Sequence, residues 1–521
     1  MTVPSLSRVV SPTGAAAGRP FRHVPSMRPL GRLGAPLVAS LVAVLLSPLP
    51  AGAHQLVGRL ESPLPLWAYL GGAALAVALS FAFVFAREIA PKTAAAPRTV
   101  RVSRWVRWPL RAIGLVGWGW VLVQALAFPG QSDADVSALF LWVYGWVGIA
   151  LVSALIGPAW AWLDPFTSLH DGGAWLLRRL GVRGWAPAAW PNRLGVWPAT
   201  LGYAFFVWLE LIVTGGGGGR ILGMVLLGYT AYALLGMAQF GKDGWRAHGE
   251  VFSVWFGTLG RFAPIALDAR PEDARVRLRG WGAGLLEPGW TAGHVALVTT
   301  GVVGVIFDGI SQTQAWVDVF GLPSLPLGTL VLAVALGGAA AIALGVARLV
   351  GGGNEDRAAG RRVGLAALGA GLTPIAVGYI TAHYLTFLLV DGQRIVVAVS
   401  DPFQQGSDLF GTAFYTPTSG FLSPALVWIV QLGAVVGGHM VGAWFGHVAA
   451  STGGGRGVRA RQLPLAALMV VLTVTTLWSL GQAIVSEPAA RAEPTARAEP
   501  TARAEPAARA EVLPIRATID Q

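Results

Sequence analysis

Residues 363–390 read V-G-L-A-A-L-G-A-G-L-T-P-I-A-V-G-Y-I-T-A-H-Y-L-T-F-L-L-V. As a helix this run is long enough to cross a hydrocarbon core of about 30 Å. A histidine sits inside it, and bilayers make such a residue costly. At helical spacing Tyr379, His383 and Thr386 share one face (i, i+4, i+7), and Asp391 extends the stripe. A polar stripe on a membrane helix faces protein or a water-filled cavity rather than lipid. Any functional site is therefore expected beside it.

Composition supports the membrane reading over the whole chain. Its 521 residues are 54% hydrophobic and only 12% charged, with a mean hydropathy of +0.58, whereas soluble domains carry about 25% charged residues. The 69 glycines and 22 tryptophans suit a closely packed helical bundle with aromatic ends. A formal net charge of +12 would fit nucleic-acid binding if the arginines were pooled. They lie instead in short clusters between apolar segments, as topology signals do, so no nucleic-acid partner is expected. Without cysteine there is no disulfide, thiolate nucleophile or thiolate metal site.

Ten spans are predicted, near 64–86, 109–128, 136–157, 197–213, 220–240, 291–310, 325–350, 363–390, 421–449 and 463–485. Loops 87–108, 158–196, 241–290, 351–362 and 450–462 are rich in Arg and Lys; the alternate loops carry at most Arg394. This alternation places the basic loops in the cytoplasm. The fold class expected is an all-α integral membrane protein of the cell membrane, preceded by a signal peptide. Arg28 and Arg32, the apolar Ala35–Leu46 and Ala51-Gly52-Ala53 form that signal, and a start at Met27 would give it ordinary length. Cleavage would leave His54 at the mature N-terminus, where amine and imidazole together suit copper. From Glu487 the chain repeats E-P-x-A-R-A four times, a pattern that builds no core. The expected divisions are an extension with signal peptide (1–53), a first membrane half (54–240), a cytoplasmic loop (241–290), a second half (291–485) and a disordered tail (486–521). The mature N-terminus and the tail lie outside.

Two further patterns bear on function. Asp164-Pro165-Phe166 with Asp171 recurs as Asp401-Pro402-Phe403 with Asp408, and Trp208…Arg220 recurs as Trp444…Arg456 at nearly the same offset. In the topology above the two halves would form a 5+5 inverted repeat, the usual build of secondary transporters. Span 3 has no counterpart to the break expected at Thr373-Pro374 in span 8. Polar groups within the spans are the second pattern. Glu210, Asp308 and His383 each fall near the outer third of a span and share a depth. Converging, they would bind a divalent metal or pass a proton, acting as the catalytic set of an enzyme or the relay of a carrier. His439 lies on a glycine-rich face, where packing with one hydrogen bond is expected, and His294 and His447 near the cytoplasmic boundary would snorkel. His170 with Asp171, and His248 with Glu250, supply only two ligands each, fewer than a metal site needs.

Several stretches resemble a known family. A-H-Q-L-V-G-R, S-P-L-P-L-W-A-Y, A-H-Y-L, S-D-P-F-Q-Q-G-S-D-L-F-G-T, L-S-P-A-L-V-W-I-V-Q and G-G-H-M together look like the fenitrothion hydrolase family of polytopic, mainly actinobacterial membrane proteins. The resemblance covers roughly residues 53–485 and implies hydrolysis of a small organophosphate-type ester. It assigns no catalytic residue, and neither G-x-S-x-G nor H-E-x-x-H is present. As an enzyme, the chain would use a metal at His383 with Glu210 or Asp308 to bring bound water toward a pKa of about 7. Two alternatives remain from the residues themselves: a secondary transporter of a small solute or ion, and a membrane scaffold.

Overall fold

The structure is a computed structural model and describes residues 66–86, 98–129, 135–182, 186–214, 218–267, 275–320, 324–352, 356–452 and 458–481. Among them, nine helices are long and apolar enough to cross a membrane, and they fall on the second to tenth expected spans. The first expected span is the helix α1 (Leu66–Ala86), whose shorter apolar piece is Leu70–Ala82. The others are α2 (Arg104–Ala127), α3 (Val136–Leu155), α4 (Asn192–Val213), α5 (Gly219–Phe240), α6 (Ala292–Ser311), α7 (Leu325–Gly351), α8 (Arg357–Val390), α9 (Pro424–Ser451) and α10 (Leu463–Gly481). The expected signal peptide, His54 and the E-P-x-A-R-A tail lie outside the described residues.

The opening stretch becomes α8, and α8 is the centre of the bundle. In its most apolar part 89% of residues are buried, against 22% in α7 at the periphery. It packs against α6, α7 and α9. Small residues let α9 approach it closely. A Cβ added to Gly438 would come within 2.8 Å of the Pro374 carbonyl, and one on Gly442 would collide with that of Gly371. Backbone-to-backbone contact of this kind drives helix association where lipid removes the hydrophobic gain. The break expected at Thr373-Pro374 is absent, and the helix runs through it. The Thr373 hydroxyl bonds the Gly369 carbonyl at 2.7 Å, and packed neighbours hold the proline in line.

The basic loops carry regular structure of their own. Asp164 caps a helix over Pro165–Arg179, accepting from Phe166 N at 2.8 Å and Thr167 N at 3.2 Å. Its exposed Trp175, Leu176 and Leu177 suit the membrane interface. An antiparallel sheet adds strand to the all-α expectation: β1 (Arg98–Arg101), β2 (Ile265–Leu267) and β3 (Arg275–Leu278), in the order β1-β3-β2. R-V-R-L alternates with the period of a strand, burying Val276 on one face. The second D-P-F differs from the first. Asp401 closes a tight bend by accepting from Gln405 N and Gly406 N, each at 2.9 Å, and starts no helix. The two motifs are thus alike in sequence and unlike in local structure.

Candidate functional site

α6 ends two residues after Gly309, and its last buried turn carries Asp308 toward α8. His383 Nε2 lies 2.9 Å from Asp308 Oδ2, and the Tyr384 hydroxyl donates to the same oxygen at 2.9 Å. Gln312, which caps the end of α6 four residues on, donates its Nε2 to Oδ1 at 2.7 Å. Both carboxylate oxygens are thus engaged, and only 5% of the His383 side chain and 8% of the Asp308 side chain remain exposed. Glu210 is buried close by and interacts electrostatically with Asp308, Tyr203 and Tyr384. The three residues singled out in the sequence are brought together.

The helices carrying them are locally unusual. Glu210 sits in a π-helical turn over Leu209–Thr214, and α3 is π-helical over Leu139–Gly148. Such wide turns are rare and gather at functional sites. The α3 turn delivers Trp146 into an aromatic cluster, stacked on Trp255 (5.9 Å, 23°) and edge-on to Tyr384 (6.5 Å, 71°). Tyr203 stacks on Trp255 at 4.4 Å. Trp255 Nε1 and the Tyr203 hydroxyl are buried and make no hydrogen bond within the protein. A buried donor left unbonded costs about 1–3 kcal/mol, so two together favour an acceptor between them.

The divalent-metal expectation at His383, Glu210 and Asp308 meets side chains that are already hydrogen-bonded to one another or to neighbours. Among the described residues no group of three or more His, Asp and Glu side chains is placed to hold a metal ion. The reason is local: His383 spends Nε2 on Asp308, whose oxygens are taken by Tyr384 and Gln312. The two loop candidates are structural as well. Asp171 is drawn to Arg111 (2.8 Å) and Lys242 (3.1 Å), while Glu250 caps the helix Val251–Leu259 and accepts from Trp160 and Tyr229. His248 stacks on Trp190 at 5.2 Å.

The polar stripe on α8 also divides. Tyr379 turns away from His383 to donate to the Leu472 carbonyl at 2.7 Å, with His439 behind it, and Asp391 pairs with Arg394 at 3.2 Å. His439 is buried with Nδ1–H donating to Val435 O at 2.8 Å, the packing role its glycine-rich face implied. His447 does not snorkel: it is buried and bonded to Gln462 at 2.7 Å. Tyr384, Gln312, Trp146, Tyr203 and Trp255 are site residues that the sequence did not single out. Only Gln312 carried a usable signal there, being i+4 from Asp308 on one helix face. No family model, curated protein or solved structure matches the chain.

Proposed function

We propose that this chain is a secondary transporter of a small solute or ion, driven by protonation changes at the His383–Asp308 pair. The observation that supports it is the placement of this pair. Imidazole and carboxylate bond each other between α8 and α6, the two most enclosed spans among the described residues. Ionisable groups at such sites are costly and mark ion and proton pathways. A proton gained or lost there changes hydrogen bonds on both helices at once, which couples a local charge to the packing of the bundle. Glu210 adds a second carboxylate, and the unbonded donors of Tyr203 and Trp255 offer bonds to a polar solute. The bundle would lie in the cell membrane with its arginine-rich loops in the cytoplasm and both mature termini outside. A 5+5 inverted repeat belongs with this reading.

Hydrolysis of an organophosphate-type ester, which the sequence resemblance implies, gains support from Ser479 on α10. A Cβ on Gly309 would collide with Ser479 Oγ and lie 3.7 Å from His383 Cε1. A hydroxyl and an imidazole therefore flank one glycine, and the imidazole bonds the Asp308 carboxylate, the residue set of a serine nucleophile with its base and orienting acid. One assay separates the readings. Proteoliposomes loaded with a pH-sensitive dye are challenged with a panel of small solutes under an imposed proton gradient. Transport predicts solute-dependent proton flux in the wild type, lost in His383→Gln and Asp308→Asn and kept in Ser479→Ala. No flux in the wild type, with cleavage of a nitrophenyl phosphotriester that all three substitutions abolish, would replace transport by hydrolysis.

A further inference from the structure

A second site lies away from His383, at the arginine-rich end of the bundle. A cavity of about 660 Å³ opens between the end of α3, the helices Lys242–His248 and Val251–Leu259, and the sheet. Trp160, Phe256 and Leu267 give it an apolar side. Four guanidiniums line it, from Arg246, Arg261, Arg277 and Arg279, against the two carboxylates of Asp243 and Glu287.

Two of these arginines, Arg261 and Arg279, are oriented mainly by backbone carbonyls. Arg279 donates to the carbonyls of Gly260 (2.8 Å), Ala263 (3.1 Å) and Arg261 (3.2 Å), and Arg261 to those of Glu287 (3.3 Å) and Pro288 (2.8 Å). Carbonyls orient a guanidinium without neutralising it. Glu287 is shared between Arg277 at 3.5 Å and Arg279 at 3.0 Å, while Arg246 is paired from behind with Asp164 at 3.3 Å. Burial pushes the Arg261 guanidinium down to about 10; Glu287 opposes that shift and Arg279 adds to it.

The sheet adds an independent observation. In register, Arg101 stands opposite Arg275 and Thr99 opposite Arg277. Opposed residues of an antiparallel pair share a face, so Arg101, Arg275 and Arg277 point to the same side. Like charges directly opposite each other destabilise a sheet, and none of the three strands carries an acidic residue to relieve them. An anion lying across this face would.

We propose that this cavity binds a phosphate-bearing anion, its phosphate on Arg277, Arg279 and the arginine face of the sheet, its apolar part against Trp160 and Phe256. The site is independent of the transport reading. It lies just beyond the ends of α3 and α6, at the level where lipid headgroups meet water, so an anionic phospholipid and a free organic or inorganic phosphate present the same chemistry to it.

The test uses full-length protein purified in a neutral detergent. Native mass spectrometry measures binding of phosphatidylglycerol and phosphatidylcholine, and tryptophan fluorescence follows titration with pyrophosphate. A lipid site retains phosphatidylglycerol over phosphatidylcholine, whereas a free-phosphate site responds to pyrophosphate and shows no lipid preference. In either case Arg277→Gln weakens binding about tenfold, the loss of one charge-assisted contact. Arg101→Gln, on an exposed strand where folding is not at stake, weakens it several-fold, and Arg357→Gln, outside the cavity, leaves it unchanged. Neither phosphatidylglycerol preference nor a pyrophosphate response, or binding that both Arg277→Gln and Arg101→Gln leave intact, would overturn the proposal.

Discussion

At the scale of single residues Asp308 is the hub, because three side chains converge on one carboxylate. Leaving a buried hydrogen-bonding group without its partner costs about 1–3 kcal/mol. Here Asp308 keeps two donors after His383→Ala, so the loss should fall at the lower end, about 1 kcal/mol. Tyr384→Phe removes one hydrogen bond inside a membrane domain, worth about 1 kcal/mol. Both residues bond the same oxygen. The double variant removes both donors, and its cost should exceed the sum of the single ones. Equilibrium denaturation of the four proteins in mixed micelles measures this directly, and strictly additive losses would show that the two bonds are independent. The meeting of His383 with Asp308 was expected from their shared depth. Tyr384 was not, because a neighbour one position along a helix points about 100° away, and only the position of α6 brings it back to Asp308.

At the scale of elements the decisive contact is α8 on α9. A methyl group at Gly442 would meet the Gly371 carbonyl and lie 3.3 Å from Ile375, and a backbone oxygen does not move aside as a side chain does. Gly442→Ala must push the helices apart, an overpacking cost of about 1–3 kcal/mol. Gly433 lies on the same helix with nothing within 4 Å of its added Cβ, so Gly433→Ala should be neutral or slightly stabilising. Comparing their melting temperatures in detergent tests the contact, and equal shifts would place the α8–α9 seam elsewhere. Glycine-rich faces are readable in sequence, but which glycine meets a backbone and which faces open space is not.

At the scale of the whole molecule the orientation of the bundle is the quantity to measure. Reporter fusions after Arg104, Arg183 and Arg361 should read cytoplasmic, and fusions after Asp133 and Asp318 external. One reversed reporter would remove or add a span. The expectation rests on alternating arginine clusters, and nine described helices lie where that alternation requires them. Sequence pattern missed the sheet, since β1 lies far along the chain from β3, the strand it pairs with.

What the sequence determined by itself is the membrane bundle and the position of its spans. Apolar length and charge alternation are local properties, and a bilayer enforces them one segment at a time. It also determined that His383, Asp308 and Glu210 share a depth. The tertiary structure alone decided which bonds they make. Asp308 is held by His383, Tyr384 and Gln312, leaving no three-ligand metal cluster among the described residues, and four arginines of the 241–290 loop gather around one cavity. Those outcomes depend on the rotation and separation of packed helices, set by contacts between residues far apart in the chain that no local pattern encodes.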